Sequence, residues 1–277
     1  MIIKIIEMYK IYSIPNLGFG TYRLKGDVAY NSTLIALQQG YRHIDTANLY
    51  KNEVEIGKAI KASSISRNEI WITTKIQVND IKKGIDIMYK SIVNSLQQLD
   101  TEYLDLVLLH GPVDNEIVNN WKALEEIFLY KLNGKIRFIG ISNYNMNHIE
   151  LLLSDCKVKP YTNQIEISPY YFRRKLINYC QEKGIIVTAH TSLVKGEKFN
   201  DSKLENLSQK KKISKSILLL SWALSKNMIV LPRSSKEEHI IENMKSVDTI
   251  LDIETIDELN GFHDGYCTHP HYKDNSN

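Results

Sequence analysis

Short apolar runs alternate with longer amphipathic stretches along most of the chain. Eight runs have the length and the β-branched or aromatic content typical of strands, and they span residues 16–21, 42–47, 70–76, 103–110, 136–142, 161–167, 185–191 and 228–233. Between them, apolar residues recur at helical spacing, most clearly at residues 27–40, 81–99 and 217–227. The pattern therefore predicts a series of strand–helix units.

The number and length of these units favour one fold class. Eight units in 277 residues average roughly 35 residues each, which a β-α-β repeat allows, and the total is near the ~250 residues of a (β/α)8 barrel. A doubly wound open sheet is the rival, but its usual GxGxxG turn is incomplete in GFGTYR after the first strand. We expect an α/β fold, a (β/α)8 TIM barrel that forms a single domain over residues 1–277. Residues 1–14 would be an N-terminal extension, and residues 262–277 a short C-terminal tail.

Composition and charge exclude several classes of partner. The chain is 43% hydrophobic and has a net charge of only +3, which fits a globular protein without strong attraction to nucleic acid or membranes. No run approaches the ~20 apolar residues of a membrane span, and charged residues interrupt the apolar N-terminus. The 3 cysteines lie far apart, which fits a reducing compartment and suggests no zinc site. We expect a cytoplasmic protein without a metal or an obligate protein partner, and nothing demands more than a monomer.

Polar residues stand where several predicted strands end. The second predicted strand ends near Asp45, and Tyr50 lies in the loop that follows that strand. The third predicted strand carries Lys75 near its end, and the fourth ends at His110. Each residue has an ordinary explanation on its own. Asp45 could cap the next helix, and Lys75 could reach solvent from the end of its strand. His110 could be a hydrogen-bonded histidine at a strand end, and Tyr50 could simply pack against its neighbours. In a barrel, however, these strand ends share one rim, where enzymes of this fold carry their chemistry. Buried charges also require partners, so mutual pairing at this rim is plausible.

The segments that contain these residues resemble those of the aldo-keto reductases, from Leu17 to about Gly261. GYRHIDTANLYKNE, ITTK and DLVLLHGP are similar to the family segments that carry the aspartate, tyrosine, lysine and histidine. GISNYN, NQIEISPY and LPRSS are similar to three later segments that hold the cofactor. FGTYRLKGDV, ITTKI and NQIEISPY look most like bacterial reductases of the diketogluconate and methylglyoxal type.

The resemblance implies a reaction and a set of roles. Hydride passes from NADPH to an aldehyde or ketone, which becomes an alcohol. Tyr50 would be the proton donor, Lys75 would lower its pKa, Asp45 would hold Lys75, and His110 would orient the carbonyl oxygen. The substrate-binding residues implied are Tyr50, His110, Tyr22 and Gly111.

The resemblance also implies a cofactor site. Amide and hydroxyl groups after the fifth and sixth strands would bind the nicotinamide carboxamide, and Arg233 with Ser234 would bind the 2′-phosphate, which favours NADPH over NADH. The full set implied is Gly20, Thr21, Tyr22, Asp45, Ser142, Asn143, Gln164, His190, Leu193, Lys195, Arg233, Ser234, His239 and Asn243.

Some positions depart from the usual family residues. Gly111 stands where tryptophan is common, which predicts a wider or more open pocket. His190 replaces a tyrosine that stacks on the nicotinamide, and a protonated imidazole there would repel the oxidised ring. His239 replaces an arginine near the 2′-phosphate. In the tail, Tyr266, His269 and His271 either reach over the pocket or are disordered.

Three alternative functions stay open at this stage. A barrel that binds the cofactor without useful turnover would act as a regulatory or structural protein. A phosphate-dependent isomerase or lyase could also use a barrel. YFRRK at residues 171–175 has the YxxxK spacing of short-chain dehydrogenases, although a surface helix start explains Arg173, Arg174 and Lys175 more simply.

Overall fold

The computed structural model describes residues 13–270. Its eight strands form one sheet in sequential order, and each neighbouring pair is parallel. The strands are β1 Phe19–Gly20, β2 His43–Asp45, β3 Trp71–Ile76, β4 Leu104–Leu109, β5 Ile136–Ser142, β6 Thr162–Glu166, β7 Ile186–His190 and β8 Ile229–Val230. All eight predicted strands are confirmed, and most are shorter than predicted. Most of the predicted N-terminal extension, and His271, lie outside the described residues.

A helical segment follows every strand. The helices are α1 Gly26–Gln38, α2 Glu53–Ala62, α3 Val78–Ile81, α4 Ile85–Gln98, α5 Ile117–Glu126, α6 Met146–Leu153, α7 Arg174–Glu182, α8 Ser202–Lys211, α9 Lys215–Leu224, α10 Glu237–Met244 and α11 Ile253–Asn260. The helix predicted at residues 81–99 is divided at Gly84, whose φ of 87° is readily adopted only by glycine. Strand order, direction and helix placement are those of a (β/α)8 fold.

The two ends of the sheet also approach each other. Gly18 N donates to Val230 O at 2.9 Å, and Gly20 N donates to Pro232 O at 2.9 Å. Of the described helices, none combines the length and apolar character that crossing a membrane requires.

Aromatic rings fill the inner face of the sheet near the amino ends of its strands. Trp71 stacks on Phe138 with ring centroids 5.4 Å apart, and Phe138 stacks on Tyr161 at 4.3 Å. Ile14 belongs to the same buried cluster. Stacked rings of this size bury a large apolar area, so this cluster anchors the floor of the fold.

The YxxxK segment does not form the pair that a short-chain dehydrogenase needs. Tyr171 is buried before α7 begins, whereas Lys175 is exposed on that helix. The two residues therefore do not share a helix. The interpretation of Arg173 as a surface residue is wrong, because its exposed fraction is only 3%.

A buried carboxylate joins three strands at the same end of the sheet. Asp105 in β4 accepts hydrogen bonds from Arg67 at 2.8 Å, from Arg137 at 2.7 Å and from Ile72 N at 2.9 Å. The two guanidinium groups lie 3.9 and 4.0 Å from the centre of the Tyr103 ring. Asp105 thus neutralises two arginines and fixes the register of β3, β4 and β5.

We expect Asp105→Asn to lower the free energy of unfolding by about 3 kcal/mol, because both arginines would lose their buried counter-charge. Urea denaturation at neutral pH measures this loss. Asp100→Asn is the matched control, since Asp100 pairs with Lys61 in an exposed ion pair at 3.1 Å, and such pairs contribute only about 0–1 kcal/mol. Equal effects of the two substitutions would contradict the role given to Asp105.

Candidate active site

The polar residues predicted at the strand ends lie along one edge of the sheet. Asp45 is the last residue of β2 and Ser142 the last of β5, while His190 ends β7. Lys75 lies one residue before the end of β3, and His110 directly follows β4. Parallel strands place these carboxyl ends together, so the backbone carries all of them to a common rim.

The Lys75 ammonium is buried and fully engaged. Its Nζ lies 2.5 Å from Asp45 Oδ1 and donates to Thr46 O at 2.8 Å. Burial alone would lower the pKa of Lys75, but the charge of Asp45 and the contact with Tyr50 raise it by more, so the net direction is upward. The group is therefore a permanent positive charge at neutral pH.

The Asp45 carboxylate has a second partner from the far side of the sheet. Gln164 Nε2 in β6 donates to Asp45 Oδ2 at 2.7 Å. Because β2 and β6 are four strands apart in the sheet order, this contact requires the sheet to curl around its interior. Gln164, which the sequence predicts to bind the cofactor, therefore also makes a structural contact with Asp45.

Tyr50 lies within reach of the lysine. It ends the short 3-10 turn Asn48–Tyr50 after β2, and its Oη lies 3.3 Å from Lys75 Nζ. Its ring packs edge-on against His110 at 5.7 Å and tilts against Tyr22 at 5.0 Å. The structure thus brings the four residues proposed as catalytic into one cluster.

The pKa of Tyr50 shifts in the direction opposite to the sequence-based expectation. Burial of the phenol raises its pKa, and the neighbouring Lys75 ammonium lowers it by less, so the net direction is upward. The expected effect of Lys75 has the right sign, but desolvation outweighs it. Tyr50 therefore keeps its proton at neutral pH in the structure described.

His110 and His190 are neutral for the same reason. Burial, helped by the positive charge of Lys75, lowers the pKa of His110 to about 3. Burial also lowers the pKa of His190 to about 3, despite the opposing charge of Glu166. A neutral His190 carries no charge that would repel an oxidised nicotinamide.

Amide and hydroxyl groups connect these histidines. Asn143, with a positive φ of 63°, donates through Nδ2 to His110 O at 3.0 Å and to Ser142 Oγ at 3.1 Å. Its Oδ1 lies 3.2 Å from His190 Nε2. Ser142 Oγ donates to Gln164 O at 2.8 Å. The predicted nicotinamide-binding residues therefore form one connected polar wall across β5, β6 and β7.

A second group of predicted residues surrounds the start of α10. Arg233 is exposed, and its Nε donates to Tyr22 O at 3.1 Å. Partial burial and the nearby positive charge of Arg23 lower the pKa of Arg233. Within residues 13–270, neither arginine forms an ion pair with a carboxylate. Two adjacent guanidinium groups without an acid partner fit an anionic ligand such as a phosphate.

The remaining predicted residues are distributed between these two groups. Ser234 is buried and its Oγ accepts from Lys236 N at 3.0 Å, while on α10 His239 is exposed and Asn243 is buried. Thr21 binds Asp45 O through both its backbone N and its Oγ1, each at 3.0 Å.

Close backbone approach explains the glycine that ends β1. A Cβ added to Gly20 would lie 3.0 Å from Leu231 O.

Gly111 is buried directly after His110, Leu193 is partly buried, and Lys195 is exposed. Lys195 Nζ donates to Thr268 O at 3.1 Å, so it contacts the tail.

One possibility left open by the sequence is observed: the tail reaches the site, where the His269 ring packs edge-on against His190 at 5.5 Å. Two other features were not predicted. Glu166, the last residue of β6, accepts hydrogen bonds from the tail, and Arg23 lies near Arg233. Arg23 is a basic residue within FGTYRLKGDV, which was the available signal, whereas no spacing rule indicated a contact between residues 102 positions apart.

Comparison with known proteins agrees with this geometry. The family model of the Aldo/keto reductase family matches residues 16–264. The chain belongs to the aldo-keto reductase family. It is 36% identical to a glyoxal reductase of Bacillus subtilis, over 92% of each chain. It is 37% identical to methylglyoxal reductase DkgB of Escherichia coli O157:H7, over 87% of this chain and 90% of that protein.

Solved structures give the same result. An aldo-keto reductase from a deep-sea metagenome library of the Medee basin superimposes with a TM-score of 0.88 at 31% identity, over 93% of this chain and 94% of that one. The aldose reductase of Schistosoma japonicum gives a TM-score of 0.86 at 29% identity, over 93% of this chain and 91% of that one. The family assignment made from the sequence motifs is confirmed.

In this aldo-keto reductase, we expect Asp45→Asn to lower the free energy of unfolding by about 3 kcal/mol at pH 7, because the Lys75 ammonium would stay buried without its counter-charge. Burial would then lower the pKa of Lys75 below its value in the unfolded chain. At pH values between the folded and the unfolded pKa of Lys75, the unfolded variant binds more protons than the folded variant. The free energy of unfolding of Asp45→Asn therefore rises with pH in this range.

Urea unfolding of both proteins at about pH 7 and about pH 9.5 tests this prediction. In the wild type the pKa of Lys75 is raised, so its contribution is complete below the ordinary lysine pKa and is lost only above it. The deficit of the variant should therefore narrow at the higher pH. A deficit that stays constant or widens would contradict the assignment of Asp45 as the counter-charge.

Proposed function

We propose that this protein is an NADPH-dependent reductase that converts small aldehydes, ketones or ketoaldehydes into alcohols, with Tyr50 as the proton donor. The observation that carries the proposal is a pair of buried contacts. The Lys75 ammonium contacts the Asp45 carboxylate on one side and the Tyr50 hydroxyl on the other, and the neutral His110 lies beside Tyr50. Each member has a position suited to its role, and the family supports carbonyl reduction.

The residues of this cluster would divide the work as follows. When bound, NADPH supplies the hydride. His110, as a neutral imidazole, hydrogen-bonds the carbonyl oxygen and orients it. Tyr50 holds a proton on Oη until negative charge develops on that oxygen, and the Lys75 ammonium stabilises the phenolate that remains. Asp45 keeps Lys75 charged and in place.

The described residues also fit the cofactor. The polar wall of Ser142, Asn143 and Gln164 offers amide and hydroxyl groups for a carboxamide, and the neutral His190 can pack on an aromatic ring. Arg23 and Arg233, which form no ion pair with any described carboxylate, offer positive charge for phosphate groups. This charge supports NADPH rather than NADH as the preferred cofactor.

The proposed substrate class rests on relatives and on one residue of the pocket. Two relatives are named glyoxal reductase and methylglyoxal reductase. Gly111 places no side chain beside His110, so the chain has no bulky wall at this position. We therefore extend the proposal to small ketoaldehydes.

We further propose that the chain forms a single closed barrel. The hydrogen bonds from Gly18 and Gly20 to the β8 segment, and the contact between Gln164 and Asp45 across the interior, support closure. A barrel with this complete polar cluster is the expected scaffold for turnover. The rival, a regulatory protein that binds NADPH without catalysis, predicts binding but no oxidation of NADPH by any carbonyl.

We expect Tyr50→Phe to reduce kcat/KM for methylglyoxal about 100-fold to 10,000-fold, because the general acid is removed. The Kd for NADPH, followed by quenching of protein fluorescence, should change little. Tyr130→Phe is the control, since Tyr130 is 62% exposed and lies outside the cluster. Near-normal turnover in Tyr50→Phe would remove Tyr50 as proton donor, and a wild type that binds NADPH but reduces no carbonyl would favour the regulatory rival.

We expect Arg233→Ala to weaken NADPH binding about 10-fold to 100-fold, the range for loss of a charge-assisted hydrogen bond, while NADH binding changes little. Fluorescence titration with both cofactors measures the difference. Arg174→Ala, at an exposed arginine at the start of α7, is the matched control. Equal losses for NADPH and NADH would show that Arg233 does not meet the 2′-phosphate.

A further inference from the structure

Glu166 is a buried carboxylate at the end of β6, and within residues 13–270 every hydrogen-bond donor to its side chain comes from the tail. It accepts from Thr268 N at 2.7 Å, from His269 N at 3.0 Å, from His269 Nδ1 at 3.0 Å and from Cys267 Sγ at 3.3 Å. Its exposed fraction is only 3%. Four donors from three consecutive residues make Glu166 an attachment point of the described part of the tail, in addition to Tyr170 O, which accepts from Asp264 N at 3.2 Å and from Gly265 N at 3.1 Å.

The charge of Glu166 is maintained by these same contacts. Burial alone would raise its pKa, but the His269 side chain and the Thr268 backbone N–H lower it by more, to about 2. A carboxyl with a lowered pKa contributes stability above its ordinary pKa and loses it as the pH falls through the lowered value. At neutral pH, Glu166 is therefore ionised and keeps all of these hydrogen bonds to the tail.

The tail in turn holds the loop between β7 and α8, residues 191–201, which we call the β7 loop. Lys198 in this loop pairs with Asp264 at 2.7 Å. Tyr266 Oη donates to the Glu197 carboxylate. Lys195 Nζ donates to Thr268 O in the tail. An ion pair, a phenol–carboxylate hydrogen bond and an ammonium–carbonyl hydrogen bond thus join the β7 loop to the tail.

The backbone of the β7 loop needs such support. Thr191, Val194 and Lys195 have φ values of 59°, 51° and 53°. The left-handed region is unfavourable for any residue with a Cβ, and most so for β-branched residues such as threonine and valine. Conformations of this kind persist only where surrounding contacts impose them, and here several of the contacts come from the tail.

We infer that Glu166 is a positioning residue that, by fixing the tail, holds the β7 loop in its strained conformation and thereby slows release of the cofactor. The loop begins directly after His190, whose ring also contacts His269, so loop and tail meet at the polar wall described above. The link to cofactor release rests on the proposed function. The mechanical link between Glu166, the tail and the β7 loop does not.

Two full-length variants test the inference by independent routes. Glu166→Gln removes the charge and one acceptor at the attachment point. Lys198→Glu breaks the ion pair between loop and tail, and adding Asp264→Lys restores a pair of opposite polarity. Asp100→Asn, which breaks the exposed Lys61–Asp100 pair at 3.1 Å, is the control.

Hydrogen exchange without cofactor is the first readout. We expect amides of residues 191–201 to exchange about tenfold faster in Glu166→Gln and Lys198→Glu, and to return towards wild-type rates in the charge-swapped double variant. Stopped-flow release of NADPH is the second readout, with an expected acceleration of about tenfold, or about 1.4 kcal/mol. The KM for the carbonyl substrate should change less than the release rate.

The outcomes separate the inference from the proposed function. Unchanged exchange and unchanged release in folded Glu166→Gln and Lys198→Glu would overturn the inference. A raised carbonyl KM with normal NADPH release would also overturn it, because the tail would then shape the substrate pocket instead. If the wild type bound no NADPH, the proposed function would fail, while the exchange experiment would still decide whether Glu166 holds the loop.

Discussion

A buried ammonium is stable only beside a counter-charge, and the arrangement of Lys75 and Asp45 follows from that requirement. The carboxylate must lie at the end of β2 so that the lysine on β3 can reach it at 2.5 Å. Its second oxygen is taken by Gln164 from the opposite side of the fold at 2.7 Å. One ion pair therefore fixes a charge at the rim and joins distant strands, so site geometry and curvature of the sheet depend on the same contact.

The ion pair also changes how Tyr50 can serve as an acid. Burial makes the phenol reluctant to ionise, and the ammonium offsets only part of that cost. A phenol in this state keeps its proton until a strongly basic oxygen forms beside it, and the lysine then stabilises the phenolate. An acidified tyrosine, ionised at rest, would have no proton to give. The raised pKa is therefore compatible with the proposed role, although it reverses the direction first expected.

Much of the fold and the site could be predicted from the sequence because both depend on local signals. Apolar runs marked all eight strands, and the strand ends of RHIDTA and ITTK placed Asp45 and Lys75 on one rim. The net pKa shift of Tyr50 could not be predicted, since it depends on how much of the ring packing removes from water. The bonds between Glu166 and the tail could not be predicted either, because they join residues about a hundred positions apart with no shared pattern.

The most strongly stabilising contacts described here and the strained backbone of the β7 loop lie at opposite ends of the strands. At the amino ends of the strands, Asp105 with its two arginines and the stacked rings of Trp71, Phe138 and Tyr161 form a rigid floor. At the carboxyl ends, the β7 loop adopts a costly backbone conformation that tail contacts support. Different contacts therefore govern the two ends: those at the amino ends hold the strands that carry the Asp45–Lys75 pair, and the tail contacts hold the β7 loop. Under the inference above, a change in the tail contacts would alter the β7 loop without displacing that ion pair.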